Sequence, residues 1–268
     1  MKLKIKLEVK LKICYNKLEY ERGIVLVMMK KIFAFTLSEI LIALSVIGVV
    51  AVLVMPQLVA GQKAAKAKAQ FNTAYVLMAK AITDMDADDV SIDPIKYPTR
   101  TFYEKFKPYN KVAVDCGFSE QSTNKNVCPG SGGKVYHVLS SNGTAASDLL
   151  DDGAFVLNNG MLVAIENCKD CGYGADHNIW LVVDVNGRDY MPNKVGYDLF
   201  VFQVTKDGLL PLGAPGTDKK FSTNPEKYCC TQSINPGCSA GESQYNGYTC
   251  AFFASTDEDY FKRVYNGH

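Results

Sequence analysis

Histidine and tryptophan are scarce in this chain: His137, His177 and His268 are the three histidines, and Trp180 is the one tryptophan, in 268 residues. No histidine has a metal-ligand spacing of the His-Glu-x-x-His kind, and no Gly-x-Ser-x-Gly elbow occurs. Gly130-Ser131-Gly132-Gly133-Lys134 is not a phosphate loop, because the first glycine is missing and Val135 follows the lysine. With no catalytic constellation in view, the sequence reads as a non-enzyme. A basic face is lacking as well. Residues 1–34 carry nine of the 29 Lys/Arg and three of the 28 Asp/Glu, so the remaining chain holds 20 basic against 25 acidic side chains. A body of net charge −5 excludes the electrostatic footprint of a nucleic-acid binder.

A composition of 47% hydrophobic and 21% charged residues can bury a core. Nine cysteines beside so few histidines point to an oxidising compartment rather than a zinc protein. Cys14 stands apart. Cys116, Cys128, Cys168, Cys171, Cys229, Cys230, Cys238 and Cys250 lie among Gly, Asn, Ser and Pro in the second half and read as a disulfide framework. Cys116–Cys128 and Cys168–Cys171 would close short local loops. The adjacent Cys229 and Cys230 are expected to take different partners, and spacing alone leaves the connectivity open.

One stretch is apolar enough to cross a membrane. Phe35–Met55 is 21 residues, about 31 Å as a helix. Lys30 and Lys31 precede it, which keeps the N-terminal side cytoplasmic. A signal peptide would end in a small-residue cleavage site, yet bulky Leu58 stands in that region. A plain anchor would leave Glu39 unexplained, since a carboxylate in an apolar span costs roughly 2.5–3.5 kcal/mol.

Lys30-Lys31-Ile32-Phe33-Ala34-Phe35-Thr36-Leu37-Ser38-Glu39 resembles the cleavage and methylation signal of type IV prepilins and type II secretion pseudopilins. The resemblance covers residues 30–61. It implies cutting by a prepilin peptidase between Ala34 and Phe35, then N-methylation of Phe35. Ala34 stands where the family usually has glycine. Residues 1–34 become a leader, with a start placed unusually early or a leader of unusual length. Glu39 would pair with the new N-terminal amine of a neighbouring subunit, because a buried carboxylate and ammonium are tolerable together and costly apart. Pro56 falls 21 residues after the new N-terminus, where the family often has a proline. The resemblance also implies the pilin fold, residence in the bacterial inner membrane with the head outside, and polymerisation through residues 35–60. Its implied partners are other pilin or pseudopilin subunits, an assembly platform and the lipid bilayer.

The helix is expected to continue through residues 61–88. Phe71, Tyr75, Met78, Ile82 and Met85 recur at spacings of 4, 3, 4 and 3, one apolar stripe that should pack on the chain's own sheet. Lys63, Lys66 and Lys80 lie opposite. The acidic run Asp84–Asp89 ends the helix as a solvated turn, since it lacks the glycine and the glutamate of a calcium loop. Residues 89–268 then form an α+β head. Val135–Leu139, Ile179–Val185 and Leu199–Val204 are apolar runs, and Asn158-Asn159-Gly160 joins Ala154–Leu157 to Met161–Ile165 as a hairpin. Residues 206–250 read as a loop-dominated tail fixed by disulfides.

Asp184, Asn186, Asp189, Asn193 and Asp198 cluster oxygen donors after a strand. They suit either calcium, which some pseudopilins bind in a C-terminal loop, or a turn held by Asx hydrogen bonds. Cys168-Lys169-Asp170-Cys171 lies between strands, which favours a structural disulfide over a redox pair. Asn142-Gly143-Thr144 is a formal glycosylation sequon and equally a turn. The expected function is a structural subunit of a type IV pilus or a pseudopilus. The alternative is a minor pilin whose head acts as a tip binding module for a surface, DNA or cargo.

Overall fold

The computed structural model describes residues 36–118, 127–129, 136–139, 143, 147–169, 177–241 and 243–266. The leader with Ala34 and Phe35, the partner Cys171 with the side chain of Cys168, Val135, residues 130–134 and the Asn142 sequon lie outside them. The chain divides into two compact units, Met1–Pro56 and Gln57–His268.

Helix α1 spans Leu37–Ala87 and includes Pro56. In its first part the side chains are solvent-facing on every side, among them Leu37, Ile42, Ile47, Val52 and Leu53. A helix apolar all round belongs in a bilayer or a packed bundle, and this one is long and apolar enough to cross a membrane. Its start is a reciprocal capping box. The Thr36 N–H and hydroxyl each donate to Glu39 Oε2 at 2.8 Å, and the Glu39 N–H donates to Thr36 Oγ1 at 3.2 Å.

From Ala64 onward α1 turns one-sided, burying Ala64, Ala67, Phe71, Ala74, Met78, Ala81, Ile82 and Met85. The expected stripe is there, with Tyr75 half-buried at its margin. Four alanines extend it and let the helix axis lie close to the sheet. Lys63, Lys66 and Lys80 are exposed, as their side of the helix requires. The acidic end is a Schellman motif. Val90 N–H reaches Met85 O at 2.9 Å, Asp89 N–H reaches Asp86 O at 3.1 Å, and Asp89 holds φ +58° between them.

The sheet is a six-stranded antiparallel meander, β1 (Val112–Gly117), β2 (Ala154–Leu157), β3 (Leu162–Lys169), β4 (His177–Asp184), β5 (Leu199–Thr205) and β6 (Gly208–Pro211), in chain order. The β2–β3 connection closes with Leu157 N–H on Met161 O at 2.9 Å and Gly160 at φ +88°. Strand β4 sends Ile179, Leu181 and Val183 to the α1 side, and Trp180 and Val182 to the other. Strand β5 alternates in step: Phe200, Phe202 and Val204 face α1, while Leu199 and Val201 face away. Both faces are buried, which is why these strands read as unbroken apolar runs rather than alternating ones.

The C-terminal region covers both faces. At the short α2 (Lys219–Ser222) and beyond, Phe221 and Tyr248 pack edge-on and near-perpendicular to Trp180 with centroids at 5.6 and 6.1 Å. Helices α3 (Cys250–Thr256) and α4 (Tyr260–Asn266) return to the α1 side, where the Phe261 ring lies tilted against Phe71 with centroids 5.8 Å apart. Three disulfides are formed among the described cysteines: Cys116–Cys128, Cys229–Cys250 and Cys230–Cys238. The adjacent pair takes separate partners, and the tail is pinned as expected. One expectation is corrected. The described part of Val135–Leu139 is not a sheet strand but a single parallel bridge, His137 with Lys194, because its backbone N–H groups go to three separate loops: His137 to Asn193 O, Val138 to Gly143 O and Leu139 to Asn246 O, each at 2.9 Å.

Candidate functional site

The loop between β4 and β5 brings the predicted donors together. Asp184 ends β4 fully buried. Its Oδ1 accepts the Asn186 N–H at 3.2 Å and the Gly187 N–H at 2.9 Å, an Asx turn. Its Oδ2 accepts the Tyr136 hydroxyl at 2.6 Å. Asp198 starts the return to β5 and is 1% exposed. It accepts the Asn193 N–H at 2.8 Å, the Lys194 N–H at 2.6 Å and the Asn186 amide at 3.4 Å. Asn193, at φ +50°, donates its side-chain amide to Arg188 O at 3.0 Å. Asp189 is exposed and stays out of this buried set.

The loop is backed on several sides. His137 exchanges backbone hydrogen bonds with Asn193 O and the Val195 N–H, both at 2.9 Å. Tyr260 donates its hydroxyl to Gly196 O at 2.6 Å. A side chain at Gly196 would meet Cys250 Sγ at 2.9 Å, so the Cys229–Cys250 bridge sits hard against the loop backbone. A side chain at Gly187, which holds φ +82°, would meet Gly160 O at 2.4 Å. Two turns are thus in backbone contact, and glycine is required where they touch.

Burial sets the electrostatics, and at Asp184 the Asp198 charge adds to it. Desolvation, with the Asp198 charge second, raises the Asp184 carboxyl to about 7. Desolvation raises Asp198 to about 6 against the hydrogen bonds it accepts. Burial and the Asp184 charge push the Tyr136 hydroxyl well above its ordinary value.

The donor chemistry fits a hard cation. Two buried carboxylates and two carboxamides lie on this one loop, and Oδ1 of both Asn186 and Asn193 is buried without a hydrogen-bond partner. Calcium takes six to eight such oxygens. The hydrogen bonds themselves are those of the Asx-turn reading, since each carboxylate oxygen already accepts a donor. Tyr136 was missed from sequence because its contact spans 48 positions with no motif to announce it. A second acidic group, Asp151, Asp152 and Glu166, lies close enough to share an ion, but Arg100 already bridges Asp151 and Asp152 at 3.0 and 2.8 Å. The chain matches no known family model, no curated protein and no solved structure.

Proposed function

We propose that this chain is a structural subunit of a type IV pilus or a type II secretion pseudopilus, acting by assembly rather than by turnover. One observation carries the reading. A single helix is apolar on every side over its first part and then one-sided from Ala64 to Met85, where it forms the core of an α+β head. A simple anchor does not need its helix to continue into the core of the domain it tethers.

In this reading a prepilin peptidase cuts between Ala34 and Phe35 and methylates Phe35. Residues 35–60 hold the subunit in the bacterial inner membrane, head outward, until the assembly platform draws it into a filament. Glu39 meets the amine of a neighbouring subunit. Both capping bonds from Thr36 use Oε2, which leaves Oε1 for an incoming ammonium. Asp184, Asn186, Asn193 and Asp198 would hold calcium, whose charge would neutralise the two buried carboxylates and rigidify the loop.

The test is the N-terminal sequence and mass of the protein isolated from its native membrane. A chain starting at Phe35 with one added methyl group is expected. A start near Gly61 would make it an ordinary secreted protein and an uncut chain a simple anchored one, and either result rejects the filament reading.

A further inference from the structure

The head carries two apolar features that its own core does not use. The first is a protruding tip. Tyr190 is 68% and Met191 65% exposed, although both sit on a tightly fixed loop. Asp198 accepts two backbone N–H groups just after the tip, and the Tyr190 N–H is tied to Gly187 O at 3.0 Å. An aromatic and a methionine exposed on a fixed backbone cost solvation, and the loop beneath them needs little further ordering on binding, the profile of a contact anchor.

The second is a groove of about 320 Å³ between α1 and the loops beside β1 and β2. Its apolar lining is Leu77, Ala81, Tyr109 and Leu157, and Lys80 and Lys111 stand among the polar residues that complete it. Leu77 is 38% exposed, so the apolar lining reaches the surface at α1.

We propose that the Tyr190–Met191 tip of one head seats in this groove of a second copy. This rests on the filament reading and specifies its head-to-head contact. Three observations select a second copy as the occupant. Tip and groove are complementary in polarity: an apolar pair fits an apolar lining. They are complementary in charge: acidic Asp189 adjoins the tip, while Lys111, which makes no ion pair among the described residues, adjoins the groove; Lys80 beside it is already paired with Asp84, which also lines the groove. They are also different patches of one surface, and the exposure of Tyr190 and Met191 shows that the tip does not occupy the groove of its own chain. A contact between unlike patches is heterologous, and repeating it without closure generates a helical array.

The experiment uses the full-length chain in its membranes, expressed as an equal mixture of ¹⁴N- and ¹⁵N-labelled copies. A zero-length carbodiimide joins carboxylates to amines in contact, and mass spectrometry identifies the mixed-isotope peptide pairs. A mixed-isotope link from Asp189 to Lys111 or Lys80 supports the proposal. Mixed-isotope links that map only elsewhere overturn this contact and leave the filament reading standing. Absence of mixed-isotope links anywhere overturns both. A charge swap gives the second readout, the fraction of protein that sediments as filaments. Lys111→Glu is expected to cut that fraction at least about fivefold by setting like charges together, and adding Asp189→Lys should restore it to within about twofold. Loss without rescue overturns the pairing. Both substituted positions are exposed, so folding is preserved, and unchanged Trp180 fluorescence verifies it.

Discussion

The buried pair Asp184 and Asp198 should make the head less stable as pH rises, the reverse of the usual effect of paired carboxylates. Asp184 is raised from its ordinary 3.8 to about 7. Between those values the folded chain holds a proton that the unfolded chain has released. Stability therefore falls with increasing pH across roughly pH 4 to 7. At about 1.4 kcal/mol per unit, Asp184 alone makes the head about 2–3 kcal/mol more stable at pH 5 than at pH 8. Asp198, raised to about 6, acts in the same direction. Its share does not add in full, because the first proton on the pair relieves the repulsion felt by the second.

The assay is urea unfolding of the full chain in detergent, without reductant and with a calcium chelator. Trp180 is the one tryptophan and is fully buried, so its fluorescence reports the head directly. Asp152 and Asp218, also raised by burial, add to the same trend, and a variant is needed to isolate the pair. Asp184→Asn keeps an oxygen for the Asn186 and Gly187 N–H groups and turns an amide toward the Tyr136 hydroxyl, which can accept from it. The variant should be at least as stable as the parent at pH 8, with the change from pH 5 to 8 reduced by about 2 kcal/mol. A parent whose stability is flat or rises from pH 5 to 8, or a variant that keeps the full slope, refutes the reasoning. Calcium supplies a further arm: millimolar ion should stabilise the parent more at pH 8 than at pH 5, because it binds the deprotonated carboxylates.

Other outcomes follow from the packing. Phe71→Ala removes a ring lying 4.8 Å from Phe200 and 5.8 Å from Phe202, and should cost the head about 3–5 kcal/mol in the same unfolding assay. Removing the Cys229–Cys250 bridge by paired substitution to alanine should cost about 2–5 kcal/mol and increase amide hydrogen exchange in residues 193–197, which it backs. Gly187→Ala should destabilise by at least about 1–3 kcal/mol, since it sets a methyl into Gly160 O at a positive φ. Glu39→Ala should leave Trp180 fluorescence and head stability unchanged while filament yield, measured by sedimentation, falls sharply; full assembly would reject the assembly role of Glu39.

The parts legible in the sequence are those whose neighbours along the chain already carry the signal. The stripe from Phe71 to Met85 repeats at helical spacing, and the apolar runs of β4 and β5 are long enough to declare strands buried on both faces. Strand β1 escaped notice because Asp115 and Gly117 cut its apolar run to Val112-Ala113-Val114, and β6 because four residues ending in Pro211 carry no period. Ala64, Ala67, Ala74 and Ala81 were invisible as core because alanine is apolar too weakly to mark a face; their role is to let helix and sheet approach. The site divides in the same way. The oxygen donors of residues 184–198 were visible as a cluster, yet sequence places such a loop in water. What buries it comes from far along the chain: Tyr136 from upstream, and Tyr260 with the Cys229–Cys250 bridge from the C-terminus. The raised carboxyls of Asp184 and Asp198 are therefore a property of long-range packing. A local motif can nominate the donors, and only the fold decides that two of them share a dry pocket where their charges oppose each other.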